Sequence, residues 1–227
     1  MKLCLPSWQL PGSWLQNCLA LRQHSWVQGI ELLFFTWDAE VKAEFSADLE
    51  GIKRLARPFS FSLHLPEVLT SQTEELLSLT DSFVQLYVYH PWEEGKDDGS
   101  LEEWARLVDS FRDDYGKERF AMEYTGEIPF KRAMERLPDS PICADTGCLL
   151  RNLLHPAAWI RERAESVREI HLHSARAGKD HLALSSEDAW LPELAKSAAD
   201  SDRRIVLETF SLERSMASYK AFAEAAI

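Results

Sequence analysis

Residues 84–111, VQLYVYHPWEEGKDDGSLEEWARLVDSF, hold one complete strand-then-helix unit and set the reading of the whole chain. Val84–Tyr89 is a short, nearly unbroken apolar run of the kind a parallel strand buried on both faces requires, and His90-Pro91 stops it. Ser100-Leu101-Glu102-Glu103 then has the form of a capping box: the serine oxygen can accept an N–H bond at the third position and the glutamate can reach back to the cap. Trp104, Leu107, Val108 and Phe111 follow at spacings that place them on one helix face.

Seven more runs repeat the first half of this unit: Lys2–Pro6, Gly29–Phe35, Phe59–Leu65, Arg119–Tyr124, Pro141–Ala144, Glu169–Leu172 and Arg204–Thr209. Most intervals leave room for a helix. Trp14, Cys18 and Leu21 make a buried stripe after the first run, and Ser71 before Glu74 and Ser185 before Asp188 read as caps. The crowded Asp38–Pro58 stretch and the long Cys148–Arg168 connection fit the alternation least well. No flexible linker and no low-complexity segment interrupts it. The expectation is one α/β domain over residues 1–227, an eight-fold (β/α) TIM barrel.

The 227 residues are 45% hydrophobic and 27% charged, ordinary globular usage that excludes a disordered or fibrous class. A net charge of −12 repels nucleic acid and anionic membranes. Cys4, Cys18, Cys143 and Cys148 show neither CxxC spacing nor a dense framework and are read as thiols. No secretory signal and no apolar run long enough to span a membrane is present, so the expected location is the cytoplasm.

Polar groups collect where the runs end. His64, His90, Glu123, Asp145 and Glu208 each close a run, and His171 and His173 stand in Ile-His-Leu-His. Of the seven histidines, five (His64, His90, His171, His173, His181) lie at or just past a strand end, whereas His24 and His155 do not. In a barrel these ends meet on one face. Several carboxylates and imidazoles buried together need a cation to compensate them, and they suit a divalent ion such as zinc, manganese or cobalt. One such histidine alone is more often a hydrogen-bonded boundary residue; repetition makes the case. His173 is expected to point elsewhere than His171, which makes it a candidate for substrate. Packing is the expected role of Trp8, and Cys143 reads as a buried small hydrophobe. Arg176 and Lys179 follow the seventh run, where barrels often bind phosphate. P-loop, GxGxxG and GxSxG motifs are missing from the sequence.

Taken in order, Ser62-Leu63-His64-Leu65-Pro66, Tyr89-His90-Pro91, Glu123, Cys143-Ala144-Asp145-Thr146-Gly147, His171-Leu172-His173, Asp180-His181-Leu182 and Leu207-Glu208-Thr209 resemble the xylose isomerase-like barrels. That superfamily includes sugar isomerases and epimerases and the endonuclease IV type of phosphodiesterase. The resemblance implies that His64, His90, Glu123, Asp145, His171, His181 and Glu208 hold metal. Where members often read Asp-x-Gly-His, this chain has Asp145-Thr146-Gly147-Cys148; Cys148 then either ligates as a thiolate or leaves fewer ions bound. Asp180 directly precedes His181, where relatives place the acidic residue two positions before it. Pro6-Ser7-Trp8, Leu10-Pro11-Gly12 and Gly29–Phe35 look in addition like the bacterial cobamide-remodelling phosphodiesterases, which cleave the nucleotide loop to cobinamide phosphate and an α-riboside.

Three functions stay open at this stage. In metal-assisted phosphodiester hydrolysis, Glu123, Asp145 and Glu208 hold metal or orient water while Arg176 and Lys179 contact the phosphate. In sugar or sugar-phosphate isomerisation or epimerisation, Glu123 and Glu208 flank a hydroxy-carbonyl and exchange a proton. The large histidine set favours the first; the missing histidine at Cys148 favours the second. A non-catalytic binding barrel would carry no metal. The implied partner is a small molecule, a corrinoid or a sugar phosphate, with no nucleic acid.

Overall fold

The computed structural model describes residues 1–57, 59–97, 99–199 and 201–227. Among the described residues ten strands form: β1 (Lys2–Pro6), β2 (Gly29–Leu33), β3 (Ser60–His64), β4 (Val84–Tyr89), β5 (Phe120–Glu123), β6 (Ile142–Asp145), β7 (Val167–Leu172), β8 (Ser174–Arg176), β9 (Lys179–Leu182) and β10 (Arg204–Leu207). Eight of them close into a parallel barrel in the order β1-β10-β7-β6-β5-β4-β3-β2, and the chain is a TIM barrel as its pattern predicts. Every expected run becomes a barrel strand, with ends moved by a residue or two in most.

Around the barrel lie α1 (Trp14–Leu21), α2 (Ala39–Leu55), α3 (Thr73–Thr80), α4 (Leu101–Tyr115), α5 (Glu127–Arg136), α6 (Thr146–Arg151), α7 (Pro156–Glu162), α8 (Leu191–Ala199) and α9 (Leu212–Ala225). The capping box at Ser100 forms with both bonds, Glu103 N–H to Ser100 Oγ at 3.3 Å and Ser100 N–H to Glu103 Oε2 at 2.8 Å. The crowded stretch is the long helix α2, capped by Asp38; only its last residue, Pro58, lies outside the described residues. The long connection is two short helices, α6 and α7.

Two expected caps are not realised. Helix α3 starts at Thr73 after Gln72 without a side-chain cap. At Ser185 the bond runs the other way, the Asp188 carboxylate accepting the Ser185 N–H at 2.9 Å, and helix begins only at Leu191. The segment after β7, read as a loop carrying phosphate contacts, is the antiparallel hairpin β8–β9. Ala177 (φ 50°) and Gly178 (φ 76°) form its two-residue turn, and two left-handed residues in succession match the natural twist of a hairpin.

The main core fills the space between strands and helices, where Tyr87, Tyr89 and Phe120 face outward against helical side chains. Leu86, Val88, Ala121 and Cys143 make a separate apolar plug from alternate strand positions. Beside them a buried ion pair crosses the lumen: Arg204 Nε donates to Glu169 Oε2 at 2.7 Å, and its Nη2 donates to Ser62 Oγ at 3.1 Å. Gly29 makes room for it, since a Cβ there would meet Ser60 O, Cys4 Sγ and the Arg204 guanidinium. All four cysteines are buried free thiols. Among the described residues, no helix is long and apolar enough to cross a membrane.

Candidate metal centre and cavity

Because strands in a parallel barrel point the same way, their last residues ring one mouth. Glu123 and Asp145 end β5 and β6, Glu208 follows β10 directly, and Asp145 lies in register with His171 of β7. His64 ends β3 and His90 follows β4. His64, His90, Glu123, Asp145 and Glu208 line a cavity of about 990 Å³.

Glu123 is the hub. Its Oε2 accepts from His64 Nε2 at 2.8 Å and lies 3.2 Å from His90 Nε2, while its Oε1 is 3.6 Å from His171 Nδ1. His171 Nδ1 is also 3.6 Å from Glu208 Oε2, and Glu208 Oε2 is 3.7 Å from His173 Nε2. His173 Nε2 lies 3.2 Å from Asp145 Oδ1 without the alignment of a hydrogen bond. Three buried atoms close to one another, His171 Nδ1, His173 Nε2 and Glu208 Oε2, therefore have no hydrogen-bond partner among the described residues. Such orphans are costly unless something fills the space between them. Ligand atoms of Glu123, Asp145 and His171, of Asp145, His173 and Glu208, and of His64, His90 and Glu123 each gather within 4.8 Å, close enough to share a cation. The donor set, carboxylates with imidazoles, fits a divalent metal.

Electrostatics divide the carboxylates. Burial pushes Glu208 up to about 8, against the lowering influence of His171 and His173. Burial acts on Glu123 too, but the His171 and His90 charges outweigh it and hold the carboxyl well below its usual range. His64 is driven up to about 9, since the Glu123 carboxylate overcomes the opposing effect of burial. A cation among these oxygens favours their ionised forms.

The floor beneath holds Glu31 and Glu169, neither of them among the expected site residues. His171 Nε2 is 3.0 Å from Glu31 Oε1 on β2 and 3.6 Å from Glu169 Oε1, with all three side chains fully buried. Glu169 is also the partner of Arg204. An acidic residue inside an apolar strand was the available signal, and only the fold shows what it faces.

His173 corrects the expectation that it turns away from His171. Residues two apart on an extended chain share a face, and both rings turn to the Glu208 carboxylate. Gly147 is required here, because any Cβ would run into the His173 ring and Asp180. Asp180 Oδ1 lies 3.2 Å from His173 Nδ1, its other oxygen pairs with Arg151, and His181 joins them in a further close group. His181 Nδ1 is 3.0 Å from the Glu208 carbonyl.

Cys148 lines the cavity but, among the described residues, belongs to none of the close ligand groups; its backbone N–H donates to Oδ1 of Asp145, the cap of α6, at 2.6 Å, and its sulfur accepts from Arg151 Nη2 at 2.7 Å. Arg176 and Lys179, the expected phosphate contacts, do not line the cavity. Arg176 is turned to Glu187 at 2.8 Å and Asp188 at 2.9 Å, and Lys179 is exposed beside the hairpin turn. The cations that do line the cavity are Arg151 and Lys96. Trp8, expected to pack, is 53% exposed and lines the mouth.

Neither a protein-family model nor a curated protein sequence matches the chain. Solved structures match its fold along almost its whole length. L-ribulose 3-epimerase superposes with a TM-score of 0.67 at 12% identity, covering 100% of this chain and 95% of the other. The 3-keto-D-glucoside 4-epimerase YcjR from E. coli gives 0.64 at 11%, covering 99% and 98%. A family 2 AP endonuclease from Brucella melitensis gives 0.59 at 12%, covering 99% of both. At these identities the likeness is one of fold alone.

Proposed function

We propose that the chain is a metal-dependent isomerase or epimerase of small hydroxy-carbonyl compounds. The observation that carries this reading is the position of two carboxylates, Glu123 and Glu208, each 3.6 Å from His171 Nδ1 at one cavity floor. Glu123, Asp145, His171 and Glu208 would hold a divalent cation, which polarises a substrate carbonyl when bound. One carboxylate takes the proton from the carbon beside the carbonyl. The other returns a proton to that carbon from the opposite face, inverting it with no net change of atoms or electrons, or to the carbonyl carbon while the hydroxyl proton passes to the former carbonyl oxygen, which moves the carbonyl. Two of the three fold neighbours named above carry epimerase names, which supports the same reading.

Phosphodiester hydrolysis is the second reading, favoured by one feature: His64 and His90 beside Glu123 offer a further cation position that a single-ion isomerase does not need. The AP endonuclease neighbour is consistent with it. Cleavage of cobamides is its most specific form, and it lacks the expected phosphate contacts, because Arg176 is engaged elsewhere.

The deciding experiment incubates manganese-loaded protein with ketoses and keto-glycosides in deuterated water, alongside phosphodiesters that include a cobamide. Deuterium entering the carbon beside the carbonyl, lost in Glu208→Gln, supports the isomerase. Phosphodiester cleavage without such exchange replaces it with the hydrolase.

A further inference from the structure

Nine large hydrophobic side chains are exposed among the described residues, and four of them, Trp8, Leu10, Phe35 and Phe210, line the one cavity that holds the candidate metal centre. Chance would scatter them over the surface. Their placement is built. The buried Asn17 side chain fixes the loop that carries Trp8 and Leu10, its Oδ1 accepting from Gln9 N–H at 3.1 Å and Leu10 N–H at 2.9 Å, its Nδ2 donating to Leu10 O at 2.9 Å. Trp8 meets Phe35 edge to face at 5.2 Å between ring centres. Phe210, two residues past Glu208, is held in the left-handed region (φ 48°), which sets its ring 4.6 Å from His181. A non-glycine residue kept there costs energy and recurs at functional positions.

The charges of the cavity point the same way. Both cations that line it already face carboxylates: Arg151 pairs with Asp180, and Lys96 stands 3.9 Å from Glu67 and 3.8 Å from Glu93. An anionic substituent would have to displace one of these pairs. At about 990 Å³ the cavity lies at the upper end of the roughly 300–1,000 Å³ that holds a drug-sized ligand. A monosaccharide at the floor would leave the aromatic mouth unfilled.

We propose that Trp8, Leu10, Phe35 and Phe210 form an outer subsite for an uncharged apolar group attached to the reacting hydroxy-carbonyl, so that the substrate is an apolar conjugate of a keto sugar, such as a keto-glycoside, and not a sugar phosphate. The inference rests on the proposed function only in placing the reacting end of the substrate at the metal floor. Rings at the mouth then bury the apolar group.

The test uses hydroxamates, which chelate divalent cations, titrated calorimetrically into manganese-loaded protein. Three probes are compared: acetohydroxamate, a phenylpropyl hydroxamate, and a hydroxamate ending in a phosphonate on a chain of the same length. The phenyl probe is expected to bind at least about tenfold tighter than acetohydroxamate, a gain that matches burial of one ring. Trp8→Ala and Phe210→Ala should each remove most of that ratio, measured within the same variant, and the phosphonate probe should gain nothing. A phosphonate probe that binds tightest, or a phenyl advantage that is absent or survives both substitutions, overturns the subsite and leaves the metal reading standing. If no hydroxamate binds metal-loaded protein, the reading of the floor as a metal centre falls, and the subsite with it.

Discussion

His171 Nε2 lies 3.0 Å from Glu31 Oε1 at the bottom of the cavity, and both side chains are fully buried. With Nε2 donating to that carboxylate, Nδ1, the nitrogen that faces Glu123 and Glu208, is the one left to bind a metal once its proton is displaced. Partners of this kind orient a ligand ring and raise its basicity, and their loss typically lowers metal affinity about 10–100-fold. Glu31→Gln is expected to weaken manganese binding by that factor in competition with a chelator, with the barrel still folded by circular dichroism. Unchanged affinity would remove Glu31 from the support of the site.

The pair beneath makes a different prediction. Arg204 and Glu169 are buried and hydrogen-bonded at 2.7 Å, so removing one partner strands the other charge. Breaking a buried pair from one side costs about 3–5 kcal/mol, whereas replacing both partners by apolar residues is often neutral. Arg204→Met should therefore lower the urea midpoint sharply, and Arg204→Met combined with Glu169→Leu should recover most of it. If the double variant is no better than the single one, the pair has a further role at the floor.

These two contacts show where the sequence stops being legible. The eight strands could be read because a parallel strand covered on both faces is an apolar run. Glu123, Asp145 and Glu208 stood out because they end such runs. Glu31 and Glu169 lie within runs, and their partners come from strands far away in the chain, Glu31 and His171 being 140 residues apart. The β8–β9 hairpin was hidden because its turn puts Ala177 at a positive φ that residue identity does not announce. Arg176 and Lys179 were chosen for position after the seventh strand; the hairpin turns Arg176 towards Asp188, and Arg151, inside a helix, stands at the cavity in their place.

Cys148 yields a prediction opposite in sense to a thiolate ligand. Burial pushes its thiol well above the ordinary cysteine range, and nearby Asp145 adds to this. A raised thiol is a poor source of thiolate. Cys148→Ala is expected to keep the metal stoichiometry of the parent, read by elemental analysis, and iodoacetamide should label Cys148 equally with and without manganese. Protection by the metal would restore the cysteine to the ligand set.

The pH dependence of metal-free protein follows from groups that keep protons longer when folded. Burial raises Glu208 from 4.5 to about 8, and Glu123, against the effect of burial, raises His64 from 6.5 to about 9. A group with a raised folded-state pKa contributes stability that is complete below its unfolded value and is lost as pH climbs through the folded one. The Glu208 contribution thus fades between 4.5 and about 8, and the His64 contribution between 6.5 and about 9. The melting temperature of metal-free protein should fall across this range. Glu208→Gln, which cannot ionise, should flatten the lower part of that fall. Manganese affinity should run in the opposite direction, rising with pH as the protons it displaces become easier to remove. Calorimetric melting of chelated wild-type protein and of Glu208→Gln checks both signs. A wild-type melting temperature that rose from pH 6.5 to about 9 would show that Glu208 and His64 do not carry these protons in the folded barrel.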